Sequence, residues 1–445
     1  MNVITRFPPS PTGNLHIGNA RTALFNYLFA HHEKGKMFFR FEDTDKARSK
    51  KEYEDDIYAS LAWLGIEYAN SEIPRQSERT EVYKKYFDSL LANGLAYEAE
   101  PSTEHPEKKV VRFKNPGSRI VFNDLIRGEV SFDTAELGDF VIARNVDEPL
   151  YHLAVVIDDY EMGVTHVIRG EDHISNTPRQ ILILEALGFP RPVYAHLPLI
   201  LAKDRSKFSK RNGSATVREY IDQGYLPEAF LNYLALLGWH PGTDEEIFTK
   251  TELIERFNFD QVQKSGAIFD ETKLKWVNRE HIMRMSPEAF RSYAEQFLSP
   301  GTIAALKEKN LFDALIPVMR ERIQTFGELA ELDREGEFAY FHIEPSYEVQ
   351  KLCWKEESPE ATKGRLMQAQ TLLEGISEAL WASETVKSAL WPYAEQEGRG
   401  NVLWPLRYAL SGREKSPDPF TIAGIIGRDE TTTRIKRAVS KLATG

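Results

Sequence analysis

The sequence predicts an α/β fold, a parallel-sheet domain split by an insertion and followed by mainly α-helical modules. Three observations predict it. Strand-like β-branched runs alternate with amphipathic helical stretches as far as Gly94, the rhythm of a parallel sheet covered by helices. From Tyr97 to about Asp147 the chain is strand-like and turn-rich, and the earlier rhythm resumes at "THVIRGED" (Thr165–Asp172). Beyond about Thr216 the pattern is helical, with Pro227, Pro241, Pro287 and Pro300 as punctuation.

Taken in order, "NVITRF" (Asn2–Phe7) suits a buried strand and "KMFFRFED" (Lys36–Asp43) a second. A helix from about Asn19 to Lys34 lies between them, ended by Gly35 in the manner of a C-cap glycine. A helix over Ser49–Leu64 carries Tyr53, Ile57, Leu61 and Leu64 on one face and stops at Gly65; another spans Ser77–Ala92. "RFKNPGSRIVFNDLIRGEVSFDT" (Arg112–Thr134) alternates apolar and polar residues and reads as an insertion with its own sheet. A helix at Thr177–Gly188 and the strand-like "AHLPLILA" (Ala195–Ala202) complete the α/β part. "PEAFLNYLALLGW" and "PEAFRSYAEQFL" are amphipathic helices, and a break near Ser299–Ile303 is the expected boundary to the last module.

At 445 residues the chain exceeds the size of a single core. One cysteine, Cys353, excludes a disulfide framework and a four-thiolate zinc site. The N-terminus carries no charged-then-apolar signal pattern and no run is long enough to cross a bilayer, so a cytoplasmic protein without membrane contact is expected. Lys and Arg number 56 against 67 Asp and Glu, a formal charge of −11, yet Lys203–Arg218 and the tail from Thr431 are locally basic.

Two loops carry the chemistry. "PPSPTGNLHIGN" (Pro8–Asn19) sits between the first strand and first helix, where open parallel sheets bind ligands and helix amides meet phosphates. Its prolines stiffen the turn, Gly13 and Gly18 allow close approach, and His16 can donate to a phosphate as charge builds there. In "KFSKRNG" (Lys207–Gly213) two lysines flank a serine, cations able to fold over a triphosphate and stabilise leaving pyrophosphate.

"HIGN" (His16–Asn19) and "KFSKR" (Lys207–Arg211) resemble the two signatures of class I aminoacyl-tRNA synthetases. "RFPPSPTGNLHIG", "FRFEDTD", "VIDDYEMGVTHVIRGEDHISNTPRQ" and "PLILAKDRSKFSKRNG" narrow the resemblance to the glutamyl-tRNA synthetase family, over nearly the whole chain. The related glutaminyl family has "DDTN" in place of "EDTD" and lacks the arginine of "VIRGEDH". A carboxylate substrate wants that cation, whereas an amide would leave it unpaired.

The resemblance implies a Rossmann-type nucleotide-binding domain split by an insertion, with α-helical stem-contact and anticodon-binding domains after it. The boundaries are 1–96 and 149–203 for the catalytic halves, 97–148 for the insertion that takes the tRNA acceptor end, 204–300 for the stem-contact domain and 301–445 for the anticodon-binding domain. It places L-glutamate on Arg6, Pro8, Ser10, Glu42, Tyr151 and Arg169, with both arginines facing carboxylates and Glu42 taking the ammonium. ATP, with Mg²⁺, falls to Pro11, Thr12, His16, Gly18, Asp172, Leu199, Ile200 and Lys210; His16, Lys207 and Lys210 are the catalytic residues. Glutamate tRNA is the implied partner of a monomeric enzyme that needs tRNA bound before activation; the alternative is a form that also charges glutamine tRNA. Many relatives carry a zinc knuckle in the insertion, but "YEAEPSTEHPEKKVV" (Tyr97–Val111) has no cysteine, so no structural zinc is expected. Asn19, where the signature usually ends in histidine, reads as a helix cap.

Overall fold

The computed structural model describes residues 2–99, 110–145, 148–208 and 215–444. They form two compact units, Met1–His281 and Ile282–Gly445.

In the first unit β1 (Ile4–Phe7) and β2 (Lys36–Phe39) pair in parallel, Arg6 opposite Phe38, and α1 (Ile17–His32) connects them. The turn after α1 differs from the expected glycine cap. Lys34 adopts the left-handed conformation, φ 54°. Gly35 is required for another reason: a Cβ there would lie 2.1 Å from the Val3 carbonyl oxygen, because the chain crosses β1 at once. Helices α2 (Lys51–Trp63) and α3 (Thr80–Ala92) follow.

Next come β3 (Ala96–Ala99), β4 (Val110–Phe113), β5 (Arg119–Asp124), β6 (Gly128–Asp133), β7 (Phe140–Asn145) and β8 (Glu148–Pro149). The α/β rhythm resumes with α4 (Tyr151–Glu161), β9 (His166–Gly170), α5 (Thr177–Ala186) and β10 (Val193–Leu197). The insertion does not keep its strands to itself, which corrects the sequence reading. Strands β3, β4, β7 and β8 make an antiparallel sheet, whereas the β5–β6 hairpin joins β10 and β9 in the order β6-β5-β10-β9. Strand β5 alternates exposed and buried residues, so Ile120, Phe122 and Asp124 share its inner face. Asp124 sits opposite Tyr194 of β10 in parallel register. The inserted sheet also shares a core with the α/β part: Phe113 and Ile142 belong to the same buried cluster as Val156 of α4 and Ile183 of α5. Each such fully buried side chain contributes about 1.5–3 kcal/mol.

The unit continues through β11 (Ile200–Leu201), α6 (Val217–Asp222), α7 (Pro227–Leu236), α8 (Lys250–Arg256) and β12 (Ala267–Ile268) and ends within α9 (Glu271–Arg284). Arg21 of α1, buried, donates to the carbonyls of Leu237 (2.9 Å) and Pro198, fixing α1 against this segment.

The second unit is helical from Pro287–Phe297 to Arg428–Thr444. Ser-Pro pairs start three of its helices: Ser286, Ser299 and Ser358 each accept an amide three residues on, and the following proline takes the first helical position. A helix therefore starts at Ser299–Ile303, where the sequence places the boundary to the last module. No helix among the described residues is long and apolar enough to cross a membrane.

Candidate active site

A cavity of about 880 Å³ opens where β1, β9 and β10 end and α1 begins. That position and size suit small-molecule substrates, whose sites span roughly 300–1,000 Å³. Its walls bring together Arg6, Pro8, Ser10, Thr12, His16, Gly18, Glu42, Tyr151, Arg169, Asp172, Leu199, Ile200 and Lys207. Pro11 is not among them: it is buried, its carbonyl accepting the Lys50 amide at 3.0 Å. Lys210 lies outside the described residues, as does most of the cysteine-free stretch Tyr97–Val111. Among the described residues no group of histidines, cysteines or carboxylates is arranged to hold a metal ion.

His16, not Asn19, caps α1. Its Nδ1 accepts the Gly18 amide at 3.0 Å, which leaves the ring proton of the neutral imidazole on Nε2. Asn19 stands inside the first helical turn. Both flanks of the second motif are tied to the first. Phe208 packs edge-on to His16, with ring centroids 6.5 Å apart, and after the undescribed residues 209–214 the chain returns to bond Ile17 and Leu15 through Ala215 and Val217. Lys207 reaches across to Asp172, 3.1 Å away. Burial works against the Asp172 carboxylate, but the bond from Lys207 prevails and holds it below its ordinary range.

The opposite wall is a buried charge network. Arg40 donates to Glu42 at 2.9 Å and to Asp159 at 2.5 Å; Arg6 donates to Asp159 at 3.2 Å and to the Ile168 carbonyl at 3.3 Å. Burial lifts the Glu42 carboxyl above its usual range despite Arg40 and Arg6, an excess that an incoming ammonium would remove. Arg169, 5% exposed, donates Nη2 to Thr177 at 2.8 Å and Nε to His196 Nε2 at 3.3 Å, while its Nη1 has no hydrogen-bond partner. Tyr151 meets His173 Nδ1 at 3.0 Å. This wall of the cavity therefore offers the guanidinium groups of Arg6 and Arg169 and the carboxylate of Glu42 to a ligand.

The catalytic-domain model of class I tRNA synthetases for glutamate and glutamine matches residues 2–109 and 98–276. The chain belongs to this synthetase family. It is by that membership an aminoacyl-tRNA ligase, and an anticodon-binding domain model matches residues 288–439. A glutamate–tRNA ligase of Nitratidesulfovibrio vulgaris is 40% identical over 99% of both chains. One of Carboxydothermus hydrogenoformans is 41% identical over 97% of this chain and 99% of its own. The crystal structure of a glutamate–tRNA ligase from Elizabethkingia meningosepticum, in complex with its amino acid, superposes with a TM-score of 0.85 at 32% identity, covering 99% of this synthetase and 100% of that chain.

Arg40, Asp158, Asp159, His173, Asp124 and His196 support the site and were not singled out by sequence reasoning. A sign of one pair was available: Asp158 and Asp159 interrupt the apolar run "HLAVVI" (His152–Ile157) and so demand buried partners. Two histidines beside Arg169 give a pH signature. Burial, helped by Arg169 and other cations, pushes His152 and His173 down to about 4 from an ordinary 6.5. Below 6.5 the unfolded chain takes up protons that the folded chain refuses, so stability is full above that pH and falls as pH drops toward 4. The combined loss is on the order of a few kcal/mol. Urea midpoints at pH 7, 5.5 and 4.5 should show it, with a shallower slope in His152→Gln.

Proposed function

We propose that this synthetase activates L-glutamate with ATP to glutamyl adenylate and transfers it to the terminal adenosine of glutamate tRNA. The observation that carries the reading is Arg169, buried on the cavity wall with Nη1 unpartnered beside Arg6 and Glu42. A molecule with two carboxylates and one ammonium complements that set; glutamine would leave a guanidinium without a counter-charge.

Glutamate lies on Arg6, Pro8, Ser10, Tyr151 and Arg169 with its ammonium at Glu42, and ATP on Thr12, Gly18, Asp172, Leu199 and Ile200. An α-carboxylate oxygen attacks the α-phosphorus of ATP; the bond to the bridging oxygen breaks and its electron pair leaves with pyrophosphate. His16, with its proton on Nε2, donates to the phosphate oxygens as charge builds, and Lys207 and Lys210 stabilise the departing pyrophosphate. A ribose hydroxyl of the tRNA terminus, the 2′-hydroxyl in class I enzymes, then attacks the glutamyl carbonyl carbon and AMP leaves. Magnesium would be held mainly by the phosphates of the nucleotide, since no group of three or more histidine, cysteine or carboxylate side chains among the described residues is arranged to hold it. The insertion 97–148 takes the acceptor end, 204–300 contacts the stem and 301–445 reads the anticodon of one tRNA bound to a cytoplasmic monomer.

Charging with labelled glutamate on separate glutamate and glutamine tRNAs, with pyrophosphate exchange run with and without tRNA, tests the reading. Charging of glutamate tRNA alone marks a discriminating enzyme, and charging of both a non-discriminating one. Charging of neither, with exchange indifferent to tRNA, would overturn it. Lys210→Ala should slow adenylate formation by roughly 10²-fold or more while leaving tRNA affinity nearly intact, the pattern of a cation that acts only on developing charge. Single-turnover activation and filter binding separate the two; equal losses would remove Lys210 from the chemistry.

A further inference from the structure

Behind Arg169 runs a chain of hydrogen bonds that ends in the inserted hairpin. His196, on β10 and fully buried, places Nε2 3.3 Å from Arg169 Nε and 3.0 Å from Thr177 Oγ1, and Nδ1 2.6 Å from Asp124 Oδ2. The Nε of an arginine can only donate, so His196 Nε2 must carry its lone pair and the ring proton must sit on Nδ1, donating to Asp124. Asp124 is itself immobile. Its Oδ1 accepts the amides of Ile126 and Arg127, both at 2.9 Å, and its Oδ2 accepts the His196 amide at 3.0 Å.

We propose that Asp124 and His196 are positioning residues for Arg169, fixing the tautomer that holds the side edge of its guanidinium and leaves the end-on edge for the substrate carboxylate. With Nε given to His196 and one Nη2 hydrogen to Thr177, the remaining donors are those of Nη1 and the second hydrogen of Nη2, a parallel pair matched to a carboxylate. Titration fits this assignment. Burial, with Arg169 and Arg127, outweighs the pull of Asp124 and keeps His196 below its ordinary value, so the ring stays neutral with one acceptor nitrogen. Burial opposes the Asp124 carboxylate, but the His196 N–H and the amides of Arg127 and Ile126 hold it below its usual range. Asp124 closes β5, so the hairpin from the insertion orients a group in the substrate cavity. The proposal rests on Arg169 binding a glutamate carboxylate.

Three variants separate orientation from packing. In Asp124→Asn, with the carbonyl oxygen kept on the Ile126 and Arg127 amides, the new NH₂ faces His196 Nδ1 and also forfeits the bond from the His196 amide, a loss that His196→Phe does not share. Facing Nδ1, the NH₂ inverts the tautomer and turns an N–H toward Arg169 Nε. His196→Phe removes the acceptor, and His196→Gln restores one near Nε2. Pyrophosphate exchange is measured on the full chain with glutamate tRNA present, varying glutamate and ATP separately. Because misplacement of a binding group by about 1 Å can cost ~10²-fold, Asp124→Asn and His196→Phe should raise the KM for glutamate by roughly 10- to 100-fold. The KM for ATP should not change, and His196→Gln should stay close to wild type. Should His196→Phe not fold, the contrast between Asp124→Asn and His196→Gln decides alone. Equal glutamate KM values for Asp124→Asn and wild type, a His196→Gln as impaired as His196→Phe, or a parallel rise in the KM for ATP would each overturn the positioning role. Wild-type enzyme without glutamate-dependent exchange would instead overturn the glutamate reading, and the proposal with it.

Discussion

Arg169→Met is expected to raise the KM for glutamate by about 10²- to 10³-fold, since removing one partner of a buried, hydrogen-bonded charge pair costs ~2–5 kcal/mol and each ~1.4 kcal/mol is tenfold. The KM for ATP should stay where it is. The effect is large because Arg169 is 5% exposed and water has little room to replace it. Methionine keeps much of the stem's volume, so the cavity should survive while the carboxylate loses its donors. Arg169→Lys should fall between the two, because an ammonium keeps the charge but cannot hold Thr177, His196 and a carboxylate in one plane. Discrimination should suffer as well: with no cation to leave unpaired, Arg169→Met should narrow the preference for glutamate over glutamine. Exchange kinetics with both amino acids check this, and a matching rise in the KM for ATP would mean that the pocket had collapsed.

The elements legible in the sequence were those whose pattern is local. Strands β1 and β2 and helices α1 to α3 announce themselves by β-branched runs and by one apolar face at helical spacing. Helix α4 did not, because Leu153–Asp159 is buried on every side and a helix without a polar face has no period to detect. The β5–β6 hairpin was legible as strands, yet its alternation is the same whichever sheet it joins, and the choice is made by Asp124 meeting β10. The loops around His16 and Lys207 stood out because each sets prolines, glycines, a histidine or lysines side by side, a composition that the proposed phosphate chemistry would require. Arg40, Asp124 and His196 were silent because each depends on a distant partner, Asp159 for Arg40 at 119 residues and Asp124 with His196 at 72, whereas Asp159 was marked only by its place after an apolar run.

Arg40→Met should both destabilise the first unit and disable the proposed amino-acid site. Arg40 is fully buried between three carboxylates: Glu42 at 2.9 Å, Asp159 at 2.5 Å and Asp158 at 3.7 Å. Removing the cation leaves those charges in a low-dielectric interior, which costs ~3–5 kcal/mol when one partner of a buried pair is lost. The carboxylates are not equally exposed to that loss. Asp158 keeps Arg79 (2.9 Å), Tyr83 (2.9 Å) and Gln76 (2.8 Å), and Asp159 keeps Arg6 (3.2 Å). Glu42 loses the hydrogen bond from Arg40, and burial already lifts its carboxyl above the usual range. It should therefore take up a proton in the variant, and a neutral Glu42 cannot attract the substrate ammonium. Calorimetry should show the first thermal transition lowered by roughly 10 °C, at ~2–4 °C per kcal/mol for a unit of this size. The sign of the pH effect is the more decisive reading. Raising the pH re-ionises Glu42, so the glutamate KM of Arg40→Met should recover toward alkaline pH at a temperature where the protein is folded, while the wild-type KM changes less. A variant that is destabilised but keeps a wild-type glutamate KM at neutral pH would show that Arg40 supports the fold and not the ionisation of Glu42.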